Sequence, residues 1–326
     1  RLFRELLPGP EESTFPRKFD LLIVDEAHNC APSGVGRYAT DSMRTEALRP
    51  LVPHFEHKLV LTATPHNGYP ESFSALLELL DNQRFARSTA IDPKQLKAVM
   101  VRRMKSELPP RWDGKPRFPK RVLDPIEVPY TDEEHAVHAA LRAYADSRVK
   151  RAQDNAEKLA TEFVLKTLKK RLFSSPAAFL TTLDAHEKSF KQAKRGRPVR
   201  KPSIVILRQE LDRIDEDYAD DTEYDEATTS AVDAASLLFA EPSVEELALL
   251  KQMRLWAEKA SGQLDSKAKR LMAWLDTHIR PGKKWSHERV ILFTEYRSTQ
   301  NWLREILAQQ GFTKDDRLLT MYGGMD

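Results

Sequence analysis

The sequence contains little cysteine and no long apolar run, and both absences narrow the class of protein. A single cysteine, Cys30, stands among 326 residues, which excludes an internal disulfide framework and a cysteine-based zinc site and favours a reducing, intracellular setting. No apolar stretch approaches the ~20 residues that a membrane span needs. Charged residues make up 31% of the chain and hydrophobic residues 40%, which predicts a soluble protein with a charged surface and no membrane partner.

A glycine-rich phosphate loop is also missing. The eleven glycines include no Gly-x-x-x-x-Gly-Lys-Ser/Thr cluster, so a nucleotide-binding site would need residues that precede Arg1. The chain begins without an initiator methionine or a targeting signal, and we expect it to be a piece of a larger polypeptide. Its net charge of +3 is too small to identify a partner, and the distribution of charge is more informative.

Two strand-like stretches end in polar residues that could take part in chemistry. Residues 19–28 (Phe-Asp-Leu-Leu-Ile-Val-Asp-Glu-Ala-His) end in two carboxylates and a histidine, and residues 58–65 (Lys-Leu-Val-Leu-Thr-Ala-Thr-Pro) end in hydroxyls. Such runs predict buried strands of a parallel sheet, and the interval between them suits one crossover helix. Ligands of open α/β sheets bind beyond the carboxyl ends of the strands. There, Asp25 and Glu26 suit a hard cation and a nucleophilic water.

The pair of stretches is more informative than either one. Asp25-Glu26 alone would favour an ordinary polar turn after a strand. Followed by Thr-Ala-Thr-Pro at 62–65, however, the Asp-Glu-Ala-His at 25–28 resembles motifs II and III of the superfamily II helicase-like ATPases. The resemblance implies ATP and Mg²⁺ as cofactors.

The same resemblance implies a role for each matching residue. Asp25 would hold the Mg²⁺ of ATP and Glu26 would position the attacking water, because phosphoryl transfer depends on positioning and charge stabilisation. His28 would complete the catalytic set and, with the coupling motif, link the nucleotide site to movement of a second lobe. The residues of that coupling motif are Thr62, Ala63 and Thr64.

A strongly basic segment follows. Residues 94–121 contain ten lysines and arginines against two acids, with Trp112 and Phe118 among them. This composition predicts either a solvated linker or a strap that joins two lobes and contacts phosphates. Residues 101–110 favour the strap, because Val-Arg-Arg-Met-Lys-Ser-Glu-Leu-Pro-Pro resembles the stretch after the first lobe of Swi/Snf-type ATPases. The nucleic-acid-binding candidates are Arg102, Arg103, Lys105, Lys120 and Arg121.

Helical spacing of apolar residues dominates the rest of the chain. Thr131 and Glu134 predict a capping box at the start of one helix, and His135 and His138 are predicted to be surface or packing residues because no third zinc ligand is evident. Three further strands are predicted over residues 121–129, 289–296 and 318–322. Helices are predicted over residues 40–52, 71–80, 131–151, 157–172, 177–190, 243–261, 265–278 and 299–309.

Two oppositely charged blocks lie in a predicted insertion over residues 191–241. Residues 188–201 carry seven basic residues and no acid, which indicates a DNA-facing arm or, by preference, a flexible solvated loop. Residues 210–226 carry ten acids and one base. Such a block repels itself, so we expect it to be extended.

The resemblance implies an α/β fold made of parts of two RecA-like lobes, with parallel sheets flanked by helices and joined by a mostly helical insertion. Residues 1–92 would be the C-terminal part of the first ATPase lobe and residues 93–130 a basic inter-lobe linker. A helical insertion region would cover residues 131–262, with the charged flexible segment 191–241. Residues 263–326 would start the second lobe, while motifs V and VI, with the arginine finger, are not in the chain.

The implied activity is that of an ATP-dependent translocase on double-stranded DNA. The closest resemblance is to a bacterial branch with RapA-type RNA polymerase-recycling ATPases and the DrmD-type component of DISARM anti-phage defence. It implies a cytoplasmic, nucleoid-associated DNA-stimulated ATPase whose partners include proteins of a defence or transcription complex. We expect the 326-residue chain alone to be inactive. Two alternatives stay open: a non-catalytic scaffold that binds DNA or a protein, and a strand-separating helicase or restriction-type motor.

Overall fold

The chain folds into two compact units, and its described part is mostly helical. The first unit comprises residues 1–123 and the second residues 124–326. A small two-stranded parallel sheet accompanies the helices in the described residues, and this arrangement is compatible with the predicted α/β class. None of the described helices combines the length and the apolar character required to cross a bilayer. The structure is a computed structural model that describes residues 19–32, 43–65, 70–194, 207 and 220–325.

The sheet of the first unit pairs its strands in parallel, as the two apolar runs predict. β1 (Phe19–Val24) runs beside β2 (Phe55–Val60), with Val24 opposite Val60. α1 (Met43–Leu51) lies between the strands in sequence, because parallel strands need a crossover connection rather than a tight turn. The helices that follow in this unit are α2 (Pro70–Leu80) and α3 (Pro93–Val99).

The two faces of the sheet differ in burial. Val24 and Val60 pack against a cluster that includes the buried Leu76 of α2, whereas Leu21 and Ile23 are 50% and 56% exposed. The prediction of buried strands is therefore wrong for the outer face. Side chains alternate between the faces of a strand, and the described helices cover only one of those faces.

The second unit is built from helices whose caps follow local sequence rules. Thr131 Oγ1 accepts the N–H of Glu134, and the Glu134 carboxylate accepts the N–H of Thr131, which confirms the predicted capping box. Ser243 and Glu246 form the same reciprocal pair. The helices are α4 (Asp132–Arg151), α5 (Asn155–Ser174), α6 (Pro176–Lys194), α7 (Asp221–Ser236), α8 (Val244–Ser261), α9 (Ser266–His278) and α10 (Arg297–Gln309).

Two apolar cores stabilise this unit. The larger one joins α4, α5, α6, α7 and α8 around side chains such as Leu168, Phe179 and Met253, which are fully buried. The smaller one packs α9 against α10 through residues such as Met272 and Trp302. Burial of apolar surface of this kind is the main favourable term in folding.

A buried polar chain crosses the larger core. Tyr144 Oη and His186 Nε2 are 2.6 Å apart, and His186 Nδ1 lies 2.6 Å from Ser236 Oγ. Burial raises the pKa of Tyr144 to about 12 and lowers the pKa of His186 to about 3, so both side chains are neutral near pH 7. Arg148 Nε donates to Tyr144 Oη, so the Tyr144 hydroxyl and both ring nitrogens of His186 have hydrogen-bond partners, as buried polar groups generally do.

Glu246 is the buried anion that connects α8 to α4. Its carboxylate accepts a hydrogen bond from Ser147 Oγ at 2.7 Å and another from Arg151 Nη1. Arg148 Nη2 lies 3.4 Å from the same carboxylate, and both Arg148 and Glu246 are nearly inaccessible to solvent. Removing one partner of such a pair leaves the other charge buried and uncompensated.

The predicted strands outside the first sheet are absent from the structure. The described residues 121–129, 289–296 and 318–322 adopt no strand, so these three predictions are wrong. A strand needs a neighbour to satisfy its backbone hydrogen bonds. No backbone pairing joins the described residues 289–296 to 318–322, and apolar side chains such as Phe293 and Met321 are exposed there.

The acidic block also differs from expectation. Residues 221–226 begin α7 instead of lying extended, and Asp220 caps that helix by accepting the N–H groups of Thr222 and Glu223. Acids in a first turn interact favourably with the helix dipole, and the apolar face of α7 lies in the larger core. Residues 188–194 continue α6. The remaining parts of the two charged blocks, residues 195–201 and 210–219, lie outside the described residues.

We predict that Glu246→Ala lowers the free energy of unfolding by about 3–5 kcal/mol, because Arg148 would stay buried without its counter-ion. Denaturant unfolding followed by circular dichroism measures the change. The matched control is Glu245→Ala, which removes an exposed carboxylate one residue earlier in the same helical turn and should change the free energy of unfolding far less. Equal destabilisation by the two substitutions would contradict the role of the buried pair.

Candidate functional site

The two carboxylates of the first motif lie in the turn directly after β1. Glu26 has a left-handed backbone with φ 46° and ψ 46°, and its N–H donates to Asp25 Oδ1 at 2.9 Å. Both residues are exposed. A left-handed conformation is uncommon for a residue with a side chain and costs about 1–3 kcal/mol, so the turn retains a strained geometry that aims two carboxylates at solvent.

The second motif reaches the same edge of the sheet. The strand pairing continues past β1 and β2, since Leu61 N–H donates to Val24 O at 2.8 Å and Ala27 N–H donates to Leu61 O at 3.0 Å. Residues 62–64 therefore emerge beside residues 25–28. This is the carboxyl edge at which parallel sheets bind ligands.

A side-chain contact joins the two motifs. His28 Nδ1 lies 3.0 Å from Thr62 Oγ1 and 3.2 Å from Glu26 Oε2. Because a carboxylate can only accept, the contact with Glu26 is favourable when Nδ1 carries the proton. Thr62 Oγ1 also accepts the N–H of Thr64 at 3.1 Å. One imidazole nitrogen is thus shared by the two motifs.

The site suits a cation that arrives with its own ligands. Within the described part of the chain, no three His, Cys, Asp or Glu residues come together to hold a metal. Mg²⁺ in nucleotide sites is commonly held by one or two carboxylates and by the phosphates. The exposed carboxylate of Asp25, which accepts one hydrogen bond from its neighbour, fits that requirement.

The nucleic-acid candidates make no polar contact with this carboxyl edge in the described part of the chain. Among the described residues, no hydrogen bond or ion pair connects Arg102, Arg103, Lys105, Lys120 or Arg121 to residues 25–28 or 62–64. Residues 101–121 are largely exposed and irregular apart from a 3₁₀ turn at Lys105–Glu107 and a hydrogen-bonded turn at residues 111–115. None of the five candidates forms an ion pair with a described residue. Their charges are therefore presented to solvent, as a phosphate-contacting strap requires.

The two histidines predicted to be surface or packing residues both contact Tyr130; His135 is exposed and His138 is half-buried. His138 stacks on Tyr130 with ring centroids 5.2 Å apart, and His135 meets the edge of the same ring. Burial lowers the pKa of His138.

Sequence reasoning missed an arginine-lined groove in the second unit. Arg171 is buried, with its guanidinium 3.8 Å above the Tyr296 ring and Nη2 2.9 Å from Asp225 Oδ1. Arg297 and Asn301 line the same groove. Burial and the neighbouring Glu295 raise the pKa of Tyr296.

The groove has only a weak signal in the sequence. Arg171 lies within a lysine-rich helix, and the residues that it contacts come from two distant stretches. Ser174 and Ser175 likewise bond to Thr299 at 2.7 and 2.8 Å. Tertiary packing alone brings these groups together.

No protein-family model matches this chain, and no curated protein and no solved structure is detectably similar to it.

We predict that His28 and Thr62 are energetically coupled. In a double-mutant cycle with His28→Ala and Thr62→Val, unfolding monitored by circular dichroism should give a coupling of about 0.5–1.5 kcal/mol, the usual range for one hydrogen bond. His57, an exposed histidine on β2, provides the control cycle, with His57→Ala replacing His28→Ala. Coupling as large in the control cycle would show that the measured term is not the hydrogen bond.

Proposed function

We propose that this chain is part of an ATP-dependent motor of the Swi/Snf type, made of parts of two RecA-like lobes, that couples hydrolysis to movement on double-stranded DNA. The observation that carries the proposal is the contact between His28 and Thr62 at the carboxyl edge of two parallel strands. Two motifs 34 residues apart meet there with the carboxylates of Asp25 and Glu26. The proposal includes a place in a defence or transcription complex.

In this proposal the chain supplies positioning rather than covalent chemistry. Asp25 would hold Mg²⁺, which neutralises charge on the phosphates when bound with ATP. Glu26 would orient the attacking water and accept its proton. His28 can exchange partners between Glu26 and Thr62, because both oxygens lie within about 3 Å of the same nitrogen. Occupancy of the nucleotide site would thereby change the hydrogen bonding of residues 62–64.

We expect Glu26→Gln to lower DNA-stimulated ATP hydrolysis by at least ~100-fold, because general-base catalysis contributes about that much. The assay uses a polypeptide that joins this chain to a phosphate-binding loop and an arginine finger, and nucleotide binding should persist. The 326-residue chain should show no turnover. Glu56→Gln, which alters an exposed carboxylate on β2, is the control. Full activity of the Glu26 variant would refute the catalytic assignment.

The basic strap supports DNA as the polymer on which the motor acts. Its cations are exposed, and within the described residues they lack ion-pair partners. A protein that neutralises phosphates releases condensed counterions, so its affinity falls steeply as salt rises. The strap would supply this sequence-independent part of the binding energy.

We therefore predict that the chain binds duplex DNA with an affinity that falls linearly on a log–log plot against salt. Replacing both Lys120 and Arg121 by alanine should reduce the slope by about 2, because each lost phosphate contact removes about 0.9 from it. Fluorescence anisotropy of a labelled duplex measures the slope. The double variant Lys269→Ala/Arg270→Ala alters an adjacent, exposed Lys-Arg pair on α9 and should leave the slope unchanged. An affinity insensitive to salt would contradict a role for the strap.

A non-catalytic scaffold that binds DNA or a protein is the second candidate, and a phosphate loop before Arg1 would favour the motor instead. Such a scaffold would bind DNA through the same strap. The two candidates differ in one respect: a motor joined to its phosphate loop changes its DNA affinity when ATP binds, whereas a scaffold does not.

A further inference from the structure

Residues 111–115 form a closed turn within the strap. The N–H of Arg111 donates to Lys115 O, and the N–H of Gly114 donates to Arg111 O, each at 2.9 Å. Asp113 Oδ1 accepts the N–H of Lys115 at 3.1 Å. Gly114 has a φ of +76°, a conformation that glycine adopts without steric cost. The turn is therefore held by its own hydrogen bonds although the surrounding segment is irregular.

Trp112 projects from this turn into solvent. Its exposed fraction is 96%, the largest among the exposed large apolar side chains of the described residues. Trp302, by contrast, is buried. Exposure of a tryptophan ring to water is unfavourable, and tryptophan is enriched among the residues that contribute most of the binding energy at interfaces. Its isolation on an ordered turn indicates a contact with a ligand.

The charges around Trp112 indicate what kind of ligand fits. Arg111 and Lys115 bracket it, and Arg117 Nε donates to Pro109 O at 3.3 Å, which links the two sides of the turn. The carboxylates of both acids in the strap accept hydrogen bonds from backbone N–H groups. Asp113 accepts one within the turn, and Glu107 accepts the N–H of Met104 at 3.0 Å. Within the described part of the chain, no cation of residues 102–121 forms an ion pair. The turn thus combines positive charge that has no ion-pair partner among the described residues with the exposed ring of Trp112.

We propose that Trp112 is a stacking site for an unpaired base of single-stranded nucleic acid, with the flanking cations contacting the phosphates on either side. Single-strand-binding proteins combine a positive backbone track with aromatic rings on which bases stack. A duplex offers phosphates to the same cations but hides the faces of its bases. The inference rests on the proposed function for the strap's role in DNA binding, and it adds that the motor engages DNA carrying an unpaired stretch.

Other polyanionic or apolar surfaces fit the turn less well. An interfacial membrane anchor needs several apolar side chains at one level, but Trp112 is the only apolar side chain of residues 111–115, and the Asp113 carboxylate lies next to it. An acidic protein surface would form ion pairs with the cations but would offer no planar group to stack on the indole ring. Nucleic acid supplies both the phosphates and the planar rings.

The test measures affinities of the full chain for a labelled oligothymidine and for a blunt duplex of equal length, at one salt concentration. Trp112→Ala and Trp112→Leu should each weaken binding of the single strand by roughly 5- to 150-fold, the range for loss of one base–aromatic stack. Trp112→Phe should retain most of the affinity because it keeps a ring face. Duplex binding should change by less than about twofold in all three. Val101→Ala, at an exposed apolar position of the same segment, is the matched control.

Several outcomes would overturn the inference. Wild-type binding by Trp112→Leu would show that apolar bulk rather than a π-face is used. Equal losses on single strand and duplex would show that no unpaired base is read. Loss of binding to phosphatidylserine vesicles, with oligonucleotide affinity unchanged, would assign Trp112 to a membrane surface. These readouts use no ATP, so failure of the Glu26→Gln test leaves them intact, and a salt-dependent duplex affinity supports the strap whether or not Trp112 stacks.

Discussion

The hydrogen-bond ladder between β1 and β2 is the constraint on which the candidate site depends. Parallel pairing makes both strands end at one edge, and the ladder extends through Leu61 and Ala27 beyond the strands themselves. Two segments that are separated in sequence therefore start their loops side by side, and the imidazole of His28 can bridge them. An antiparallel pairing of the same sequences would place Glu26 and Thr62 at opposite ends, where no shared nitrogen could connect a carboxylate to a hydroxyl.

In the second unit, buried ion pairs connect the helices. Arg148 with Glu246 joins α4 to α8, and Arg171 with Asp225 joins α5 to α7. Each pair is supported by further hydrogen bonds or by an aromatic ring, which offsets part of the cost of removing charge from water. The strap has the opposite arrangement, because its cations stay in solvent without counter-ions in the described residues. Charge is thus used internally for helix packing, and in the proposed function the external charge binds the ligand.

Sequence-based prediction succeeded where the interactions are local and failed where they join distant segments. Helix existence and caps were predicted well, since Thr131 and Glu134 interact within one turn. The strands predicted over residues 289–296 and 318–322 were wrong, because an apolar run forms a strand only where a partner edge is available. The acidic residues 221–226 were expected to repel one another, yet the helix dipole, the Asp220 cap and the buried face of α7 outweigh that repulsion.

The sequence by itself determined which functional groups are present. Two carboxylates, a histidine and hydroxyls stand at the ends of two apolar runs, and a basic segment contains two aromatic residues. These are properties of residue type and spacing. Tertiary structure alone decided that His28 contacts Thr62, that Arg171 lies on Tyr296, and that Trp112 stands free on a closed turn. Such contacts depend on where distant segments meet, and that is set by strand register and core packing rather than by any local pattern.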